Sequence, residues 1–455
     1  MLDLPSFVVR GERARLFPVL ADTSKERRTL SILLACIENV DEFGRALLAE
    51  LNQRAGPRAR IETYTEVVLK NASGGQSFRP DGLIVLTVGS KQWTALVEAK
   101  VGNADLTVEQ VENYLSVAKM NGVDALITIS NQFAPLPSQH PLTISAVSRR
   151  KAELFHLSWM SILTAADLLI SNETVQDGDQ RVILNEMVRL LTHPSAGVKG
   201  FEQMPACWTG IVASIQAGGT ISQNTPEAHE LMEAWYQEAR DLSLILSRQV
   251  GREVKISVPR AHAANANVRR KADLQTLADN KSIAAVLAVP DAAAPIEVCA
   301  NLQTRTVSIS MKLLAPDDKQ STKGRLSWLI RQLQQTDPDG IYVRLCWPGR
   351  GGNSQHPLAA LRDGSVSSAD DRPNSVVSSF EILLVRDLGA RFAQRRNFVI
   401  DVQRALPDFY ERVGQNLKPW QPPAPPIPEE KTQPSDVAPE ALRQQADKTA
   451  LARDE

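Results

Sequence analysis

The stretch that most limits what this chain can become is RPDGLIVLTVGSKQWTALVEAK, residues 79–100. Gly82 to Val88 is apolar and rich in β-formers, Gly89-Ser90-Lys91-Gln92 interrupts the run, and Trp93 to Lys100 resumes it. That is the pattern of a β-hairpin. Asp81 opens its first strand, and Glu98 and Lys100 close its second. Residues i and i+2 of a strand share a face about 7 Å apart. Glu98 and Lys100 therefore point the same way, and Ala99 points into the packing. Antiparallel pairing sets Asp81 beside them. Two carboxylates and an ammonium at one end of an apolar sheet are costly unless they are paired or bind a metal.

Such a grouping suits phosphodiester cleavage. Two carboxylates hold Mg²⁺ or Mn²⁺ through oxygen and leave positions for water and a phosphate. The cation acidifies water and offsets charge on the phosphate, while a nearby Lys orients or activates the nucleophile. Pro80-Asp81 followed by Glu98-Ala99-Lys100 resembles the PD-(D/E)xK nuclease superfamily. A helix predicted over Thr107 to Lys119, capped from Asn103-Ala104-Asp105, puts Gln110 and Tyr114 on one face at i, i+4. This resembles the Q-x-x-x-Y element of the RecB-like branch. Val123 to Ser130 then reads as a buried strand after a crossover helix.

The resemblance covers residues 22–170. It implies an α/β fold, a restriction-endonuclease-like mixed sheet flanked by helices. It further implies that Asp81 and Glu98 bind the metal, that Lys100 positions or activates water, and that Gln110 and Tyr114 orient substrate or the lysine. A Glu on the first core helix completes such sites. Glu26, Glu38 and Glu42 are the candidates, and Glu26 is favoured because it precedes the apolar stripe and can look back toward the hairpin end.

At 455 residues, 43% hydrophobic and 23% charged, the chain is a globular type too long for one core. The net charge of −1 gives no overall basic field, so any nucleic-acid surface must be local. Arg79 and the run Arg149-Arg150-Lys151 are the candidates for phosphate contact. The four Cys form no C-x-x-C pair, which argues against a zinc site or disulfide framework and fits a reducing cytoplasm. The sequence has neither a signal pattern nor the ~18 apolar residues that span a membrane, so a cytoplasmic protein with no membrane partner is expected.

Residues 1–21 read as an extended lead-in. Ser24 offers a cap for a helical pattern that runs to Leu51 and breaks near Asn39-Val40-Asp41. Arg58 to Lys70 is the expected first strand, with Glu66 aimed at the site or at an edge ion pair, and Asn71 to Gln76 is a turn. His140, in a proline-rich loop, reads as solvated. Residues 171–253 form a helical connector centred on Pro226 to Val250, 254–420 an α+β domain, and 421–455 a disordered proline-rich tail. Ser354 to Asn374 reads as mobile. Two functions are expected of such a chain. One is a metal-dependent nuclease acting on DNA, with a C-terminal recognition or regulatory domain. The other is a non-cleaving nucleic-acid-binding or stress-response factor on a nuclease-like scaffold. Cutting both strands of a duplex calls for two sites, so a homodimer is among the expected partners.

Overall fold

Apolar alternation and turn chemistry build two sheets. The computed structural model describes residues 4–17, 25–70, 79–349, 352–365, 372, 375–421 and 443. The first sheet contains β1 (Val8–Arg13), β2 (Arg60–Leu69), β3 (Gly82–Val88), β4 (Lys91–Ala99), β5 (Ala125–Ser130) and β6 (Glu153–Ser158), side by side in chain order. Pairing is antiparallel from β1 to β4 and parallel from β4 to β6. A parallel step needs a crossover, and α3 (Val108–Met120) supplies it between β4 and β5. The class is α/β with a mixed sheet.

Both faces of the sheet are covered, which is why its parallel strands read as unbroken apolar runs. On one face Val97, Ala99, Ile127 and Ile129 pack with α1 (Lys25–Asn39), α2 (Asp41–Glu50), α4 (Trp159–Ser171) and α5 (Gly178–Thr192). On the other, Leu96, Leu126 and Leu154 pack with Val111, Leu115 and Ala118 of α3. Gly82 permits the close seating of α1, because a Cβ there would fall 2.6 Å from Leu34 Cδ1. That contact holds the start of β3, and hence Asp81, against the first helix.

Three local expectations change. Val8–Arg13, inside the expected lead-in, is an edge strand on β2, so Arg60–Leu69 is the second strand. Thr107, not the Asn103–Asp105 segment, caps α3 by accepting from the Gln110 N–H at 3.2 Å. Ser354–Pro357 and Leu358–Asp363, inside the segment expected to be mobile, form a strand and a short helix. The expected cap at Ser24, the turn over Asn71 to Gln76 and most of the tail lie outside the described residues.

A 3-10 turn at Pro194–Ala196 and α6 (Cys207–Gln216) lead into α7 (Pro226–Val250). The Thr225 side chain caps α7 at its start, and Gly251 ends it. Its stripe of Leu231, Trp235, Ala239, Leu242 and Leu246 is buried in the second core. The second sheet contains β7 (Lys255–Ser257), β8 (Ser282–Ala288), β9 (Ile296–Asn301), β10 (Thr306–Leu314), β11 (Ile341–Cys346), β12 (Ser354–Pro357) and β13 (Ser379–Asp387). It is antiparallel, in the order β12-β11-β13-β10-β9-β8-β7. The helices of this half are α8 (Arg260–Ala264), α9 (Ala266–Asn280), α10 (Thr322–Gln332), α11 (Leu358–Asp363) and α12 (Arg395–Arg412). The fold extends to Pro419. Among the described residues all four Cys are free, and no helix is long and apolar enough to cross a membrane.

Candidate active site

Register brings the hairpin's charges together. Gly82 pairs with Val97, so Asp81 falls beside Glu98, and Asp81 Oδ2 accepts from the Ala99 N–H at 3.1 Å. Glu98 is 2% exposed. Its Oε1 accepts from Lys100 Nζ at 2.8 Å and from Gln110 Nε2 at 2.6 Å. Its Oε2 is buried and has no hydrogen-bond partner among the described residues.

Lys100 Nζ also donates to Glu26 Oε1 at 3.0 Å and to the Ala99 carbonyl at 3.1 Å. All three ammonium protons are thereby used. Glu26, in the first turn of α1, thus reaches the site through the lysine. Glu38 turns elsewhere, accepting from Thr63 and pairing with Arg13. Glu42 lies in the first turn of α2. One turn along α3 from Gln110, the Tyr114 hydroxyl donates to the Arg79 carbonyl at 3.3 Å.

Burial, then the neighbouring Glu98, pushes the Asp81 carboxyl up to about 7, against the pull of the Ala99 N–H and Lys100. Burial opposes the charge on Lys100, but Glu98, Glu26 and Asp81 outweigh it and push the ammonium up to about 12. Burial and Glu98 hold the Tyr114 phenol above its usual range. At neutral pH Lys100 is therefore a fixed cation and Tyr114 a neutral donor.

Among the described residues no group of three or more His, Cys, Asp or Glu is gathered as a metal site. The donors present at the hairpin end are two adjacent carboxylates, one with an orphaned buried oxygen. Such hard oxygen donors fit Mg²⁺ or Mn²⁺, and a cation there would relieve the repulsion that raises Asp81.

The backbone around Lys100 is pinned from several sides. Its N–H donates to the Ile129 carbonyl at 2.8 Å, and its carbonyl accepts from Trp159 Nε1 at 2.8 Å. Beyond it, Asn131 Nδ2 donates to the carbonyls of Gly102 (3.0 Å) and Gly197 (2.9 Å), and Asn131 Oδ1 accepts from the Lys199 N–H at 3.0 Å. The Gly102 N–H donates to Gly197 at 2.8 Å. Gly197 has φ +75°, and a Cβ there would lie 2.8 Å from Gly102 N, so the crossing requires glycine.

Glu98 is in register with Thr128, and Thr128 with His156, so the three share the face covered by α3. Thr128 Oγ1 lies 2.9 Å from His156 Nδ1 and 3.0 Å from His140 Nε2. The Leu142 N–H donates to His140 Nδ1 at 3.0 Å, and His156 Nε2 faces the Gln132 carbonyl at 2.9 Å. One tautomer set, assigned from these partners, satisfies every group: both imidazoles neutral and protonated at Nε2. Burial, then His156 alongside, lowers His140 to about 3, and burial lowers His156 to about 4. His140 is therefore tied into the core of the site's face, where the sequence reading expected a solvated side chain.

The basic candidates divide. Arg79 sits at the site, its carbonyl held by Tyr114 and its side chain exposed. Arg149 donates to the Ser138 carbonyl, Lys151 reaches Ser116 Oγ at 2.8 Å, and Arg150 is exposed in the same turn. Ser116 lies six residues beyond Gln110, about 9 Å down α3, so this cluster is not brought to the carboxylates. Glu66 sits at φ +53° beside irregular β1–β2 pairing and pairs with Arg27 at 3.1 Å. Its strand alternation is broken there, and the edge ion pair is the role it takes. No protein-family model, curated protein or solved structure matches the chain.

Proposed function

We propose that the chain is a metal-dependent nuclease that hydrolyses phosphodiester bonds of DNA, its second half serving recognition or regulation. The observation that carries this reading is Glu98 Oε2, a buried carboxylate oxygen with no partner among the described residues, beside an Asp81 whose charge is itself held back by burial. Asp81 and Glu98 would hold Mg²⁺ or Mn²⁺. When bound, the cation supplies acidification of water and charge stabilisation at the phosphate. Gln110 orients Glu98 by occupying Oε1. Lys100, charged at neutral pH, acts as a cation that places the attacking water or a phosphate oxygen rather than as a base. Glu26 steadies Lys100, and Tyr114 fixes the backbone at Arg79, whose side chain is free to meet a neighbouring phosphate.

One observation favours a second reading, a non-cleaving nucleic-acid-binding factor on the same scaffold. The three Lys100 protons are all taken by protein oxygens, which leaves none for phosphate in this arrangement. Incubation of plasmid and linear DNA with purified protein and Mg²⁺ or Mn²⁺, beside Asp81→Ala and Lys100→Ala, separates the two. The nuclease reading expects cleavage lost in both variants with the fold retained. No cleavage with either metal, together with DNA retention unchanged in the variants, would sink it and leave the binding scaffold.

A further inference from the structure

Away from the hairpin, a cavity of about 360 Å³ opens where the end of α2, the loop after β5, α7 and β7 meet. That is within the usual range for a small-molecule pocket, roughly 300–1,000 Å³. Leu136, Pro137, Ile256 and Val258 give it apolar walls, and Leu136 is 53% exposed. Five charged side chains also line it: Glu50, Arg240, Glu253, Lys255 and Arg269.

Three of these charges are already matched. Lys255 Nζ pairs with Glu253 at 3.2 Å. Arg269 pairs with Asp273 at 3.5 Å and lies 4.4 Å from the centroid of the Tyr236 ring. Arg240 and Glu50 are different. Of its five N–H donors, Arg240 uses one, in a long 3.4 Å bond to Ser243 Oγ, and it forms no ion pair among the described residues. The Glu50 carboxylate forms neither a hydrogen bond nor an ion pair among the described residues. Each feels the other's field without touching it. Arg240 is half-buried, which lowers it, while Glu50 stands at the exposed rim of the cavity, where partial loss of water raises it; their mutual attraction offsets only part of either shift.

A cavity with one underused cation and one unpaired anion selects its occupant. A neutral apolar molecule would strip water from the half-buried Arg240 without pairing it, and would leave the rim carboxylate of Glu50 unused. A phosphate would satisfy Arg240 but place a second negative charge near Glu50 and Glu253. We propose that this cavity binds a small zwitterion with an apolar body, an aliphatic amino acid, its carboxylate on Arg240, its ammonium on Glu50 and its side chain against Leu136, Ile256 and Val258.

Calorimetric titration of the full chain with L-leucine tests this, with N-acetyl-leucine, leucinamide and inorganic phosphate as probes that lack one charge or carry the wrong ones. Leucine is expected to bind saturably, and each of the other probes about tenfold more weakly or worse. Arg240→Met and Glu50→Gln are each expected to weaken leucine by a similar factor, with melting temperatures confirming that they fold. Leu136→Trp, which fills the cavity and leaves its charges alone, is expected to abolish binding. No saturation at millimolar leucine overturns the proposal. So does equal binding of N-acetyl-leucine or phosphate, or an affinity unchanged in Leu136→Trp.

Discussion

Gln110 Nε2 lies 2.6 Å from Glu98 Oε1, and this bond decides which oxygen of Glu98 is left open. Amide and ammonium converge on Oε1, and Oε2 is left buried with no hydrogen-bond partner among the described residues. Removing the amide lets the carboxylate turn. Gln110→Ala is expected to raise the Mg²⁺ concentration for half-maximal DNA cleavage by about 10–100-fold, the usual cost of losing an outer-shell partner. Gln110→Glu, which sets like charges together, should do worse. A metal titration of cleavage rate reads both, and an unchanged Mg²⁺ requirement in Gln110→Ala would remove Gln110 from the site.

The raised carboxyl of Asp81 makes stability depend on pH in a definite direction. With its folded value at about 7, above the usual carboxylate range, the native state binds more protons than the unfolded chain between the two values. Stability contributed by the protonated group is therefore lost as pH rises through that window. Asp81→Asn keeps an acceptor for the Ala99 N–H and removes the charge. Urea unfolding without divalent cations should show the variant more stable at pH 8 by something on the order of 2 kcal/mol, with the gain vanishing near pH 4. Mg²⁺ should stabilise wild type and not the variant.

The pair His140 and His156 predicts the opposite slope. Both are held neutral with folded values below the usual imidazole value, so their contribution is complete above about 6.5 and is lost as pH falls toward about 4 and about 3. Protonation would put a second N–H against Leu142 or Thr128 and release the loop over 131–142. His156→Gln should lower the melting temperature at pH 7, by an amount equivalent to about 1–3 kcal/mol, and flatten its decline between pH 6.5 and 4. Parallel slopes in wild type and variant would refute this account.

Glu238 of α7 is fully buried. Its Oε2 accepts from Gln403 Nε2 at 3.1 Å, and Oε1 has no partner among the described residues. Burial, then Asp241 one turn away, holds its carboxyl well above the ordinary range, while Asp241 is pushed up to about 6 by burial against the Phe201 N–H and Arg248. Glu238→Gln is isosteric and cannot ionise. Thermal melts should show it above wild type at pH 8, with the difference shrinking toward pH 5, because the cost of charging Glu238 is absent there. A variant less stable at every pH would mean that the charged form holds the helix pair together.

The hairpin and its charged end were legible because two apolar runs around a turn leave little choice of pairing, and pairing alone carries Asp81 to Glu98. Spacing on α3 likewise placed Gln110 and Tyr114 on one face. Other features rest on information no local pattern holds. β1 is polar in sequence, and its pairing with β2 shifts register twice, so alternation does not mark it. The apolar residues of α9, such as Val268, Leu274 and Leu277, are too sparse to draw a stripe. Asn131 is one polar residue after a strand, and its role depends on partners 29 and 66 residues away. His140 and His156 meet through Thr128, which the β5–β6 register sets beside His156 and which the loop after β5 brings to His140.

The Asn131 crossing also sets where this chain can be cut. Gly102 is two residues past Lys100, and its N–H is held by Gly197, well beyond the last strand of the first sheet. From there Lys199 closes on Asn131, and the Phe201 N–H reaches Asp241 of α7 at 2.7 Å. A fragment ending at residue 170 would keep the carboxylates, the lysine and the Asn131–Gly102 bond, but would strip the Gly102 N–H of its acceptor and Asn131 of Gly197 and Lys199. The part that carries the hairpin's charges is therefore not a transplantable cassette: the chain beyond it acts as its splint.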